Sequence, residues 1–192
     1  MRIPLNIPNA LSLARIAAAP MMLLAAWHGH RLAFLWLAVF CMGSDIIDGK
    51  IARWLGQTSD FGARLDSWAD LTMIASGPFC AWWLKPELVR TEAIALGAVM
   101  GSYALAIIVG YAKFGRLTSY HTRAATLSAY FVGAGAIMGI AGGTPWLFRL
   151  GALLVAYAEI EEVAISGTLR EWRANVPSFA HALAIRRDDS GA

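Results

Sequence analysis

Six apolar stretches dominate this chain, at about 9–27, 32–48, 66–84, 93–112, 124–141 and 146–165. Each comes close to the ~20 residues that an apolar helix needs to cross a bilayer, given some tilt. Composition agrees: 58% of the 192 residues are apolar and 15% charged, where a soluble domain carries about 25% charge. Little sequence remains between the stretches. The expectation is an all-α integral membrane protein, with a bundle of six transmembrane helices over residues 1–175 and a polar tail over 176–192. No separate soluble domain is expected.

Lys and Arg placement orients such a bundle. With a cytoplasmic N-terminus, 12 cationic residues fall on the cytoplasmic side, against 4 on the other side (Arg31, Lys85, Arg90 and Arg149). The reading is a multi-pass protein of the inner (cytoplasmic) membrane with both termini cytoplasmic. Its net charge of +3 then reflects topology and contact with anionic lipid, and no nucleic-acid partner is expected. Trp27, Trp36, Trp82, Trp83 and Trp146 fall near span ends, as interface anchors do. Cys41 and Cys80 lie inside spans, at no spacing that suggests a metal finger or disulfide framework, and read as inert buried thiols. Residues 16–27 have the apolar character of a signal core, but Arg15 interrupts the run, which argues against cleavage.

Residues 45–70 break the apolar pattern with four aspartates. Asp45, Asp48, Gly49, Ala52 and Arg53 fall at i, i+3, i+4, i+7 and i+8, one face of a helix. Gly62, Asp66 and Asp70 fall at i, i+4 and i+8, one face of the next. A short polar hairpin from Trp54 to Asp60 can bring the two faces together. Carboxylates at membrane depth cost roughly 2.5–3.5 kcal/mol each, so four left unpaired would cost about 10 kcal/mol. Something must neutralise them. An all-oxygen ligand set suits Mg²⁺, Mn²⁺ or Ca²⁺ rather than zinc, and two such ions can clamp both oxygens of a phosphoryl transfer. The same constellation also suits a structural cluster or an ion path. Gly49, Ala52 and Gly62 permit close helix contact, or leave room for a flat ligand. Arg53 on the same face suits a phosphate oxygen. Together these residues describe a metal–diphosphate site better than a packing seam.

The pattern Asp48-Gly49-x2-Ala52-Arg53-x8-Gly62-x3-Asp66-x3-Asp70 resembles the signature of CDP-alcohol phosphatidyltransferases, with Asp45 three residues upstream. Eight specified positions over 26 residues carry the likeness. The resemblance implies a six-helix membrane fold, a homodimer, and a cavity opening to the cytoplasm. It implies that Asp45, Asp48, Asp66 and Asp70 ligate two divalent ions, Mg²⁺ or Mn²⁺. CDP would lie against Gly49, Ala52 and Gly62, with Arg53 near its phosphates. Asp70 would be the general base for the acceptor hydroxyl, whose oxygen attacks the phosphorus of CDP-diacylglycerol as CMP leaves.

The acceptor is less evident. Ile7-Pro8-Asn9-Ala10-Leu11-Ser12-Leu13-Ala14-Arg15, with Pro20 beyond it, is similar to the start of phosphatidylglycerophosphate synthases and their cardiolipin-synthase relatives. Ser67 after the third aspartate is more like the phosphatidylserine synthases. Glycerol 3-phosphate is the first expectation, with serine, inositol phosphate or phosphatidylglycerol as alternatives. Arg116 and Arg123 lie between spans four and five and suit an acceptor phosphate, although positive-inside charge accounts for them equally. Arg15 must snorkel or find a partner, either a substrate phosphate or the aspartate cluster. Glu159 and Glu162 are expected to pair with cytoplasmic arginines, and Glu161 to point elsewhere. A divalent-cation transporter is the rival of another class, but a fixed arginine beside the ligands gives it no advantage. A lipid-binding protein without activity would have no use for four costly carboxylates.

Overall fold

The computed structural model describes residues 6–57, 59–115, 122–169, 171, 173 and 176–190. These form eight helices: α1 Ile7–Trp27, α2 Arg31–Trp54, α3 Asp60–Leu84, α4 Pro86–Thr91, α5 Ala93–Phe114, α6 Arg123–Ala141, α7 Trp146–Thr168 and α8 Phe179–Ser190. There is no strand among the described residues. The expected all-α class holds, and each apolar stretch lies within one long helix. By length and composition, α1, Arg31–Ile51 of α2, α5 and α6 are able to cross a membrane. Helices α3 and α7 are as long, at 25 and 23 residues, but carry Asp66 and Asp70 or Glu159, Glu161 and Glu162. Six spans is therefore an approximate count. Large apolar side chains such as Leu32, Trp36, Ile94, Leu153 and Ile160 are exposed, the outward face that a lipid-embedded helix presents.

The chain divides into two compact units, the first Met1–Glu92 with Ala136–Thr144, the second Ala93–Gly135 with Pro145–Ala192. In the first, Asn6 caps α1 by accepting the Asn9 N–H at 3.0 Å. Pro8 stands in the first turn, where its missing N–H costs nothing. The buried positions of α1 are Pro8, Asn9, Ser12, Arg15, Ala18, Ala19, Met22 and Ala26, a stripe recurring every three or four residues. It packs against α2 and α3. Ala18, Met22 and Ala26 meet Phe34, Ala38 and Cys41 of α2, Cys80 of α3 and Ile140 of α6. Most of these are small, so the helices approach closely, which is how apolar helices hold together in lipid. Both cysteines are free and buried.

The turn between α2 and α3 uses Gly56 at φ +63°, a left-handed conformation that glycine adopts without strain. Ser59 then caps α3 by accepting the Gly62 N–H at 3.0 Å. Trp54 and Asp60 thus bound the hairpin as the spacing predicts.

In the second unit, Val99 of α5 packs on Ala152 and Val155 of α7. A Cβ on Gly135 of α6 would stand 2.1 Å from the Phe148 backbone nitrogen, and one on Gly151 would stand 2.6 Å from that of Val132. Here α6 and α7 touch backbone to backbone. The Lys113 ammonium donates to the carbonyls of Ser166 and Gly167 near the end of α7, where a cation complements the helix dipole. The segment expected as a polar tail contains α8. Its Ala182 and Ile185 pack on Ile165 and Leu169, and the Glu161 carboxylate accepts the Phe179 N–H at 3.1 Å.

Gly135→Ala should force α6 and α7 apart and destabilise the protein by about 1–3 kcal/mol. Thermal unfolding in detergent should show a lower melting temperature; an unchanged one would mean that the helices part without cost.

Candidate functional site

The four aspartates converge as their spacing predicts, and they do so on a group from a third helix. Asp45 and Asp48 descend from α2, Asp66 and Asp70 from α3, and each pair is one helical turn apart. Between them lies the guanidinium of Arg15, from the third turn of α1, which is only 2% exposed. Its Nη1 donates to Asp45 Oδ1 and, at 3.1 Å, to Asp70 Oδ1. Its Nη2 donates to Asp48 Oδ2 at 2.8 Å and to Asp66 Oδ1. Each terminal nitrogen therefore joins one carboxylate of α2 to one of α3. Snorkelling is excluded as the role of Arg15: its partner is the aspartate cluster.

One guanidinium offsets one of four negative charges. Burying the rest is costly unless further cations or hydrogen bonds compensate them. The burden is uneven, because side-chain exposure rises from 8% at Asp48 through 26% at Asp66 and 30% at Asp45 to 39% at Asp70. Asp48 is the least exposed of the four and Asp70 the most. Asp45, Asp48 and Asp66 offer ligand oxygens that all lie within 4.8 Å of one another. An anionic set of carboxylate oxygens at that separation fits a hard divalent cation such as Mg²⁺ or Mn²⁺.

Gly62 stands one turn before Asp66, where a Cβ would come within 2.9 Å of Asn9 Oδ1 and 3.2 Å of Ser59 Oγ. A close approach of α3 to the start of α1 therefore accounts for this glycine directly. Gly49 is half-buried beside Asp48. The Ala52 and Arg53 side chains, and Arg116 and His121 entirely, lie outside the described residues. Arg123 is the exposed first residue of α6, in the other unit. The expected pairing of Glu159 and Glu162 with arginines is not made among the described residues. Glu159 Oε1 is buried without a partner, and both glutamates line a small recess with Ala106, Val109, Val163 and Ser166. In the sequence Arg15 shows only as a lone cation deep in an apolar run, which must snorkel or find a partner without saying which.

The profile of the CDP-alcohol phosphatidyltransferase family matches residues 5–161, a range that takes in Arg15 and all four aspartates. The chain belongs to this family. Its members are membrane-embedded and use CDP-alcohol substrates, in keeping with a multi-pass membrane protein here. A Mycobacterium tuberculosis protein provisionally named a cardiolipin synthase is 32% identical over 103 residues, covering 50% of this chain and 49% of that one. A Yersinia pestis protein named CDP-diacylglycerol–glycerol-3-phosphate 3-phosphatidyltransferase is 36% identical over 93 residues, covering 42% and 49%. The chain thus spans about half the length of the curated relatives it matches. No solved structure matches it. Family membership favours an enzyme over a cation path for the aspartate cluster.

Gly62→Ala should lower the melting temperature of the nucleotide-free protein, by about 1–3 kcal/mol of stability. If Asn9 is the obstacle, Asn9→Ala with Gly62→Ala should cost clearly less than the sum of the two single changes. Strict additivity would mean that Gly62 is not held by this contact.

Proposed function

We propose that this protein transfers a phosphatidyl group from CDP-diacylglycerol to the hydroxyl of glycerol 3-phosphate, releasing CMP. The observation that carries the reading is the convergence of Asp45, Asp48, Asp66 and Asp70 on one point within a chain of this family. The acceptor follows the name of the Yersinia relative and the N-terminal run from Ile7 to Arg15. A second reading follows the mycobacterial relative, whose name makes the product a cardiolipin.

In this reading the four aspartates hold the metal. When bound, two divalent ions, Mg²⁺ or Mn²⁺, would offset the charge that develops on the attacking and leaving oxygens. The CDP moiety lies against Gly49, Ala52 and Gly62, the last of which also packs on Asn9, and Arg53 meets its phosphates. Asp70 is the base. It is the most exposed of the four carboxylates and stands outside the tight group of Asp45, Asp48 and Asp66, so it is the one that an incoming hydroxyl can reach. Asp70 takes the proton from the acceptor hydroxyl. The acceptor oxygen bonds to the phosphorus that carries diacylglycerol, and the bond from that phosphorus to CMP breaks, CMP leaving with the electron pair. Arg116 and Arg123 bind the acceptor phosphate. The protein acts as a homodimer in the inner membrane, with one transferase domain over residues 1–175, a tail over 176–192 and both termini cytoplasmic. The 12 against 4 division of cationic residues supports that orientation.

Purified protein in detergent, given CDP-diacylglycerol, Mg²⁺ or Mn²⁺ and one candidate acceptor at a time, should release CMP with glycerol 3-phosphate. Mass spectrometry should then find phosphatidylglycerophosphate. CMP release with phosphatidylglycerol and not glycerol 3-phosphate would shift the assignment to the second reading, and release with neither would overturn both.

Asp70→Asn should reduce CMP release by about 100- to 10,000-fold and leave Mn²⁺ binding in place, since Asp45, Asp48 and Asp66 remain. Normal turnover would exclude Asp70 as the base.

A further inference from the structure

We propose that the Arg15 guanidinium is the resident counter-cation of the aspartate cluster, holding the four carboxylates together when no divalent ion is bound and competing with such ions for them. The inference rests on the metal reading above. It concerns what this chain does with its own charge when the metal is away.

Three observations carry it. Arg15 is buried and touches all four carboxylates, with each Nη bridging α2 to α3. A permanently charged, forked side chain from a third helix thus ties both aspartate-bearing helices to α1. Without it, four carboxylates in a low-dielectric setting repel one another, and the helices that bear them are pushed apart. Second, the carboxylates that Arg15 holds include Asp45, Asp48 and Asp66, whose oxygens are close enough together to ligate one cation. A hard cation needs those oxygens at short range, so guanidinium and ion exclude each other there. Third, Arg15 is held by its terminal nitrogens alone, because Nε is buried without a partner. No Nε–Nη fork fixes the stem, so the four contacts of the terminal nitrogens are all that an incoming ion has to displace.

The inference has a direction that a purely structural arginine would not show. If Arg15 only braced the helices, removing it would loosen the carboxylates and weaken metal binding. If it competes, removing it strengthens binding. The test is Mn²⁺ affinity of the metal-stripped full-length protein in detergent, read from the electron paramagnetic resonance signal of free Mn²⁺. Arg15→Gln should bind Mn²⁺ about tenfold more tightly or better, the scale expected when one unit charge is removed from the cluster. Arg15→Lys keeps the charge but cannot bridge four carboxylates, and should fall between the two. It also serves as the variant to measure if Arg15→Gln does not fold. Without metal, the melting temperature of either variant should drop below that of the unsubstituted protein, and added Mn²⁺ should recover it. Unchanged or weaker Mn²⁺ binding in the variants would overturn the inference. Absence of Mn²⁺ binding in every protein tested would overturn it together with the metal reading. Mn²⁺ binding that tightens as stated, in a protein that releases no CMP with any acceptor, would uphold it and sink the proposed reaction alone.

Discussion

The first unit of this protein depends on a charge problem. Four aspartates stand on two neighbouring helices in apolar surroundings, and the guanidinium that meets them comes from a third helix. An arginine side chain has limited reach, so α1, α2 and α3 must pack within that reach at one level along their axes. The rest of the unit is arranged accordingly. Small residues on the facing stripes, Ala18, Ala26, Ala38 and Cys80 among them, let backbones come close where lipid offers no hydrophobic drive for association. The caps at Asn6 and Ser59 set where α1 and α3 begin, and so the height at which Arg15, Asp66 and Asp70 stand.

The second unit solves a different problem with the same economy of side chains. Gly135 and Gly151 allow α6 and α7 to meet backbone to backbone. Lys113 and Glu161 satisfy helix ends, the former on carbonyls of α7 and the latter on an N–H of α8. These two charged residues serve local capping rather than a common centre. Glu159 and Glu162 differ from that pattern, since they line a recess in apolar company without a cationic partner among the described residues.

Much of the site is legible in the sequence. The helical periodicity of Asp45, Asp48, Asp66 and Asp70 is a local property, fixed by 3.6 residues per turn, so their convergence followed once a short hairpin joined the two helices. Arg15 was legible only as an anomaly. A cation one-third of the way along an apolar run needs a partner, yet nothing local distinguishes an aspartate thirty residues away from a lipid headgroup. The glutamates of α7 show the limit of local spacing. It sets Glu159 and Glu162 on one face, but which cations come near is a matter of long-range packing. Gly62 illustrates a third case, in which a residue that fits a family pattern also has a packing reason, visible only when Asn9 is found against it.

The sequence by itself determined the all-helical class, the apolar helices, the family and the face on which each carboxylate lies. These are consequences of composition and of short-range periodicity, which every segment carries within itself. Only the tertiary structure decided that α1 supplies the cation at the centre, that Asp48 is the least exposed carboxylate and Asp70 the most, and that Gly62 abuts Asn9. Those facts depend on which helices become neighbours and at what register. That choice is settled by the summed packing of small residues and the need to neutralise buried charge, and no single stretch of sequence contains it.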